Sequence, residues 1–309
     1  MRVVIAGGSG LIGSLLAGEL IRDGHEVIVL TRDPLRTRLP EGVQTAEWDG
    51  RTSQGWSHWL EGAAAVVNLV GENLGSQRWT AERKRRIVSS RVEPGRAILE
   101  ALRQTKSRPA VLIQGSAIGF YGQSGDRIVD ESSPAGEDFL ADVCKQWEAS
   151  TEAVEELGIR RVVVRSAVVL ARGNPAIEPM LLQMRLFMGG RLGSGRQWFP
   201  WIYWKDHVAA IRFLIQKEEA RGPFNLIAPN HQTNAQFARE LARAMGRPYW
   251  FPVPAFALRL IFGEMAVMVL SGQRAAPRRL LELGFQFQYP TAREALTDML
   301  KRNQRPSFS

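Results

Sequence analysis

The sequence predicts an α/β protein with a doubly wound parallel sheet and a smaller C-terminal lobe. The first half alternates short β-branched runs with longer amphipathic stretches. A glycine-rich turn, Gly7-Gly8-Ser9-Gly10-Leu11-Ile12-Gly13, joins the first run directly to the first helical stretch. Beyond residue 171 the alternation loosens into loops rich in glycine, proline and tryptophan. Runs that are apolar on both faces suit parallel strands covered by helices on each side, and right-handed crossovers then wind such a sheet in two directions.

Taken in order, the expected strands are 3–6, 26–30, 45–48, 64–70, 110–114 and 161–170, with helices from residue 11, over 92–104 and over 141–157. This places a nucleotide-binding domain of Rossmann type at 1–171 and a substrate lobe at 172–309, with 205–228 positioned to return to the first domain. Helices are expected in the lobe at 178–188, 205–216, 234–245 and 277–283, and Trp198, Trp201 and Trp204 are candidates for its inner wall. The apolar run 256–270 is broken by Arg259, Gly263 and Glu264, falls short of the about 20 residues of a membrane span, and reads as a core helix.

A chain of 309 residues, 45% of them hydrophobic, buries a substantial core. Its single cysteine, Cys144, rules out an internal disulfide and a cysteine-based zinc cluster, so no metal is expected. Together with an N-terminal apolar run too short for a signal peptide, this implies a cytoplasmic address. The net charge of +9 would suit anionic partners. The densest cluster, Arg83-Lys84-Arg85-Arg86, reads as a solvated helix face, and no nucleic-acid-reading motif accompanies it.

Gly7, Gly10 and Gly13 stand where a tight turn must let a pyrophosphate approach the backbone. Ser9, Leu11 and Ile12 complete a loop whose helix N-terminus offers free N–H groups. After the second strand the chain has Thr31-Arg32 rather than a carboxylate. A guanidinium there pairs with a 2′-phosphate, so the site favours NADP(H) over NAD(H). Asp49, beyond the third strand, either meets the adenine or holds its own turn. Leu69, Val70 and Gly71, ending the fourth strand, are the remaining expected cofactor contacts.

With these features, and with Gly115-Ser116 ending the fifth strand, the chain resembles the extended short-chain dehydrogenase/reductases, which include nucleotide-sugar epimerases. Phe120-Tyr121-Gly122, Trp204-Lys205-Asp206-His207-Val208 and Gly222-Pro223-Phe224-Asn225-Leu226 carry the likeness onward. Gly71-Glu72-Asn73-Leu74, Arg78-Trp79-Thr80, Ser90-Arg91-Val92 and the tail 278–285 resemble an atypical epimerase-like subfamily, whose C-terminal module is similar to a domain of unknown function.

That family's chemistry uses a serine, a tyrosine and a lysine: the tyrosine moves a proton, the lysine lowers its pKa, and the serine polarises a carbonyl. The resemblance gives Ser116 the serine role. The following helix departs from the pattern, because Leu140-Ala141-Asp142-Val143-Cys144-Lys145 contains no Tyr-x-x-x-Lys in either register. Lys145 and Tyr121 are the candidates left for those roles, and Cys144 reads as a small buried hydrophobe. Arg91 resembles the subfamily's replacement for an asparagine of the proton relay. With Arg78 and Lys84 it implies a small anionic substrate. The sequence thus points to an NADP(H)-dependent oxidoreductase or epimerase-like enzyme, with a catalytically silent NADP(H)-binding regulator as the alternative.

Overall fold

The computed structural model describes residues 1–301, so 302–309 of the expected lobe lie outside the described residues. The first half runs β1 (Arg2–Ala6), α1 (Leu11–Arg22), β2 (Glu26–Thr31), β3 (Gln44–Glu47), β4 (Ala65–Asn68), α2 (Ala81–Gln104), β5 (Val111–Ala117), β6 (Ile128–Val129) and α3 (Phe139–Ala149). It continues through β7 (Arg160–Ser166), β8 (Val168–Leu170), α4 (Glu178–Arg185), β9 (Trp201–Tyr203), α5 (Trp204–Gln216) and β10 (Gly222–Leu226). Seven strands form one sheet in the order β3-β2-β1-β4-β5-β7-β10, parallel throughout.

Alternate side chains of one strand feed two different cores. Val3 and Ile5 pack on one face with Leu16 of α1 and Ile211 and Leu214 of α5. Val4 and Ala6 pack on the other with Ile98 and Leu102 of α2. Burial on both faces is what makes these strands read as unbroken apolar runs. The winding direction reverses between β1 and β4, which opens a crevice beyond their carboxyl ends.

The remaining elements are α6 (Asn234–Met245), α7 (Ala255–Phe262), α8 (Val267–Leu270), β11 (Arg274–Ala275), α9 (Arg278–Glu282) and α10 (Ala292–Leu300). Leu181, Trp201, Tyr203, Phe237, Leu241 and Leu296 build a third core beneath them. The Asp206 carboxylate, buried at the start of α5, accepts the backbone N–H groups of Gln288 and Tyr289 at 2.8 and 2.9 Å and so anchors the approach to α10.

Four expectations are corrected. The strand placed at 161–170 breaks at Ala167 into β7 and β8, because β8 leaves the main sheet to pair with β9. The helix placed at 92–104 begins at Ala81, where the Thr80 hydroxyl caps it by accepting the Arg83 N–H, and Arg83 is buried rather than part of a solvated face. The helix placed at 141–157 ends at Ala149, and a separate 3-10 turn follows over Glu152–Leu157. The run 256–270 is no core helix: only Leu258 of α7 is buried, and Phe256 and Leu260 are 73% and 76% exposed.

The two later glycines of the loop have different physical duties. A Cβ on Gly13 would stand 2.4 Å from the Gly7 carbonyl oxygen and 2.6 Å from Gly8 Cα, so α1 packs against the turn only without a side chain there. A Cβ on Gly10 would meet only the Gly7 carbonyl oxygen, at 3.3 Å. Gly13→Ala is therefore expected to lower the unfolding free energy by about 1–3 kcal/mol, whereas Gly10→Ala changes it by less than about 1 kcal/mol. Urea unfolding of both variants checks this, and equal midpoints would refute the division of roles.

Candidate functional site

The crevice begins at the glycine loop. Gly7 holds φ +80°, and a Cβ there would run into the Leu69 carbonyl at 2.8 Å, so β4's exit and the loop touch backbone to backbone. Gly10 is the N-cap of α1 and no side chain caps that end. The first intrahelical bond is donated by Ser14, to the Gly10 carbonyl at 2.9 Å, which leaves the N–H groups of Leu11, Ile12 and Gly13 to meet an anion at the positive end of the helix. Ser9 and Gly10 are exposed beside them.

Thr31 ends β2 with its hydroxyl turned inward, 2.8 Å from the hydroxyl of Thr37. Arg32 follows it at the surface, and its guanidinium makes no hydrogen bond or ion pair among the described residues. Asp49 is engaged in its own turn: its carboxylate accepts the N–H groups of Arg51 and Thr52 and the Thr52 hydroxyl, which hold its pKa below the ordinary range. Leu69 donates its N–H to Ala6, and Val70 and Gly71 lead from there into the loop that ends at α2.

At the carboxyl end of the sheet, Ser116, Arg165 and Asn225 are in-register neighbours on β5, β7 and β10. They form one buried polar network. Ser116 donates to Glu148 Oε1 at 2.6 Å, and Arg165 grips both Glu148 oxygens at 2.9 Å. Arg165 also donates to the Tyr121 hydroxyl at 3.1 Å, and that hydroxyl donates to Asn225 Oδ1 at 2.7 Å. Desolvation pushes the Tyr121 phenol up to about 12.

The structure therefore brings Ser116 and Tyr121 together and leaves Lys145 out. Lys145 is exposed and lies 4.0 Å from Asp142 on the outer flank of α3. Cys144 faces the sheet instead, its thiol 3.6 Å from the Ala117 carbonyl oxygen and pushed by burial up to about 11. Leu140 sits one turn earlier, against Gly119. Of the two lysine positions compatible with the sequence, the inward one holds Cys144, while one turn earlier Leu140 is half-buried and Ala141 fully buried.

Glu148 and Arg165 were missed by sequence reasoning. Glu148 recurs four residues after Cys144, one turn along the same face, and Arg165 is a charge inside an apolar strand. Both signals are visible in the chain.

The three cations expected to meet a substrate are all occupied. Arg91 is buried over the Trp147 ring and donates to the Ile87 and Glu72 carbonyls, with burial lowering its pKa to about 10. Arg78 donates to the Leu260 and Ile261 carbonyls at the end of α7. Lys84 pairs with Glu264. Arg78, in the loop after β4, and Lys84, in the first turn of α2, thus pin the C-terminal module to this part of the first domain.

On the opposite face of the sheet, His207 at the start of α5 is fully buried with Nε2 2.8 Å from the Ser166 hydroxyl. Desolvation lowers its pKa to about 4.

A fully parallel sheet with this strand order, an uncapped first helix and a glycine turn at the switch point define a dinucleotide-binding protein of the doubly wound class. The chain belongs to the NAD dependent epimerase/dehydratase family, whose model matches residues 3–226, and a second model, a domain of unknown function (DUF1731), matches 253–299. It is 37% identical over 304 residues to the mouse epimerase family protein SDR39U1, covering 97% of this chain and 100% of that one. It is 35% identical over 306 residues to a chloroplastic SDR39U1 homolog of Arabidopsis thaliana, covering 97% and 87%. The crystal structure of human epimerase family protein SDR39U1 (isoform2) with NADPH superposes with a TM-score of 0.87 at 33% identity, covering 98% and 100%. Among the described residues no helix is long and apolar enough to cross a membrane.

The His207 environment gives a pH dependence with a defined sign. Unfolded, this imidazole titrates near 6.5; folded, near about 4. Between those values only the unfolded chain takes up the proton, so stability present above pH 6.5 is lost as the pH falls towards 4, by about 3 kcal/mol in total. Subtracting the unfolding free energies of His207→Gln from those of the unaltered protein across this window isolates the contribution. A flat difference would contradict the assignment.

Proposed function

We propose that this protein binds NADP(H) and exchanges hydride with a carbonyl or alcohol carbon of a small substrate, with Ser116 and Glu148 moving the proton that other family members move by tyrosine and lysine. The observation that carries this reading is the 2.6 Å hydrogen bond from Ser116 to Glu148 at the carboxyl end of β5. The cofactor assignment is supported by the room above Gly10, the uncapped α1, the unpaired Arg32 and the NADPH in the crystal structure of the human relative.

When bound, NADP(H) supplies or accepts the hydride. The protein's part is positional. A substrate hydroxyl donating to Ser116 Oγ passes its proton to that oxygen as Ser116 passes its own to Glu148 Oε1; in reverse, the same pair delivers a proton to a carbonyl oxygen. Arg165 fixes Glu148 through two parallel bonds, so the acceptor oxygen does not wander. Tyr121 is a positioning residue here, since its hydroxyl is committed to Arg165 and Asn225. Arg91 braces the loop after β4 and Arg78 and Lys84 hold the C-terminal module, and the substrate's charge is not assigned to them. A second reading, an NADP(H) sensor without turnover, is favoured by the absence of a tyrosine at Leu140 and Ala141 and by the buried Cys144 thiol where a lysine would face the sheet.

Arg32→Ala is expected to erode a preference for NADPH over NADH by on the order of 10- to 150-fold, the worth of a charged hydrogen-bonded contact. Calorimetric titration with both nucleotides measures it, and equal affinities in the unaltered protein would remove the phosphate assignment.

Ser116→Ala is expected to slow hydride transfer by 10²- to 10³-fold at most and by at least about 10-fold, with NADPH affinity unchanged, while Lys145→Ala keeps the full rate. Loss of label from NADPH deuterated at the reactive carbon, followed with carbonyl and nucleotide-sugar substrates, reads this out. Tight NADPH binding with no label loss would favour the sensor, and an unaffected rate in Ser116→Ala would take the relay out of the mechanism.

A further inference from the structure

We propose that the apolar face of α7, with the neighbouring ends of α4 and α6, is a docking surface for an anionic lipid bilayer, on which the protein lies without crossing it. The surface is unusually apolar for an exposed one. Phe256 and Leu260, one helical turn apart on α7, are more than 70% exposed, and Trp250 is 65% exposed. Leu186 and Phe187, at the end of α4, are 58% and 52% exposed. Trp250 adjoins the end of α4: its indole N–H donates to the Phe187 carbonyl, and the N–H groups of Trp250 and Phe251 donate to the Gly189 carbonyl. The paired run then leads into α7 through Val253, which is bonded to Arg191. At its far end α7 is pinned by Arg78, so the helix is presented on a fixed base.

Charge selects the occupant. The sequence has no carboxylate between Glu178 and Asp206, or between Glu240 and Glu264, the two stretches that build this face. Arg185, Arg191 and Arg259 are exposed there and have no acidic partner among the described residues. A second copy of the same face would bring arginine against arginine, which disfavours self-association. An aromatic and leucine face rimmed by unpaired arginines fits the boundary between acyl chains and anionic headgroups.

Flotation of the full chain with vesicles tests this. Vesicles of phosphatidylcholine and phosphatidylglycerol are expected to carry the protein at low ionic strength and less of it at high salt, whereas phosphatidylcholine alone carries none. Phe256→Ser with Leu260→Ser should cut partition by more than about tenfold, and Arg185→Gln and Arg259→Gln by about fivefold each. All four side chains are exposed, and circular dichroism confirms that the variants fold. A blue shift of tryptophan emission on anionic vesicles, absent in Trp250→Phe, gives an independent reading on an otherwise unaltered surface. Failure of the unaltered protein to float with phosphatidylglycerol overturns the proposal, as does full flotation of the serine variant. Capture of polyglutamate without vesicle binding would also overturn it, by making the partner an acidic protein.

Discussion

The ion pair between Arg165 and Glu148 governs the carboxyl edge of this sheet. A guanidinium in the middle of three apolar strands is costly to desolvate, and it is tolerable only because the carboxylate, the Tyr121 hydroxyl and the Phe120 ring surround it. That arrangement dictates its neighbours. Glu148 must face inward on α3, which orients Cys144 one turn earlier towards the same strands and turns Lys145 outward. Asn225 must meet Tyr121, and in doing so it also donates to the Ala276 carbonyl and accepts nothing from solvent. One buried pair thus sets the register of a helix, the position of a phenol and the seat of the C-terminal module.

A second constraint is the crowding of the glycine turn. Three backbones meet there: the turn itself, the first residues of α1 and the exit of β4 at Leu69. No side chain larger than hydrogen fits between them, and the outcome is a row of unpaired N–H groups aimed out of the sheet. What this turn offers an anion is main chain. Arg32, on the rim of the crevice and without an ion-pair partner among the described residues, is the side chain to which the proposed selectivity between two nucleotides differing by one phosphate is assigned.

Much of the fold was legible because its strands are buried on both faces, which leaves a plain pattern of apolar runs punctuated by glycine. The positions of the glycine turn between β1 and α1 and of Thr31-Arg32 at the end of β2 were legible for the same reason, since they depend on residues adjacent in sequence. What escaped depends on partners far apart. Nothing near Glu148 announces Arg165, and nothing near Arg78 announces the carbonyls of Leu260 and Ile261. The helix α10 was overlooked although Thr291 and Glu294 form a capping box that marks its start. The lobe also misled by composition: the apolar 256–270 run suggested a core helix, yet hydrophobicity without helical periodicity does not say which side of a helix is covered.

The bond from Arg78 to the end of α7 joins residues more than 180 positions apart. A contact of such sequence separation raises the fold's contact order, and non-local contacts slow folding because the entropy of loop closure is lost before they reward it. Although α7 joins the fold through one of its most non-local side-chain bonds, Phe256 and Leu260 stay more than 70% exposed. Arg259 within the helix and Arg191 beside it keep charge at this face both in the folded protein and in the folding chain, where it discourages association with other chains.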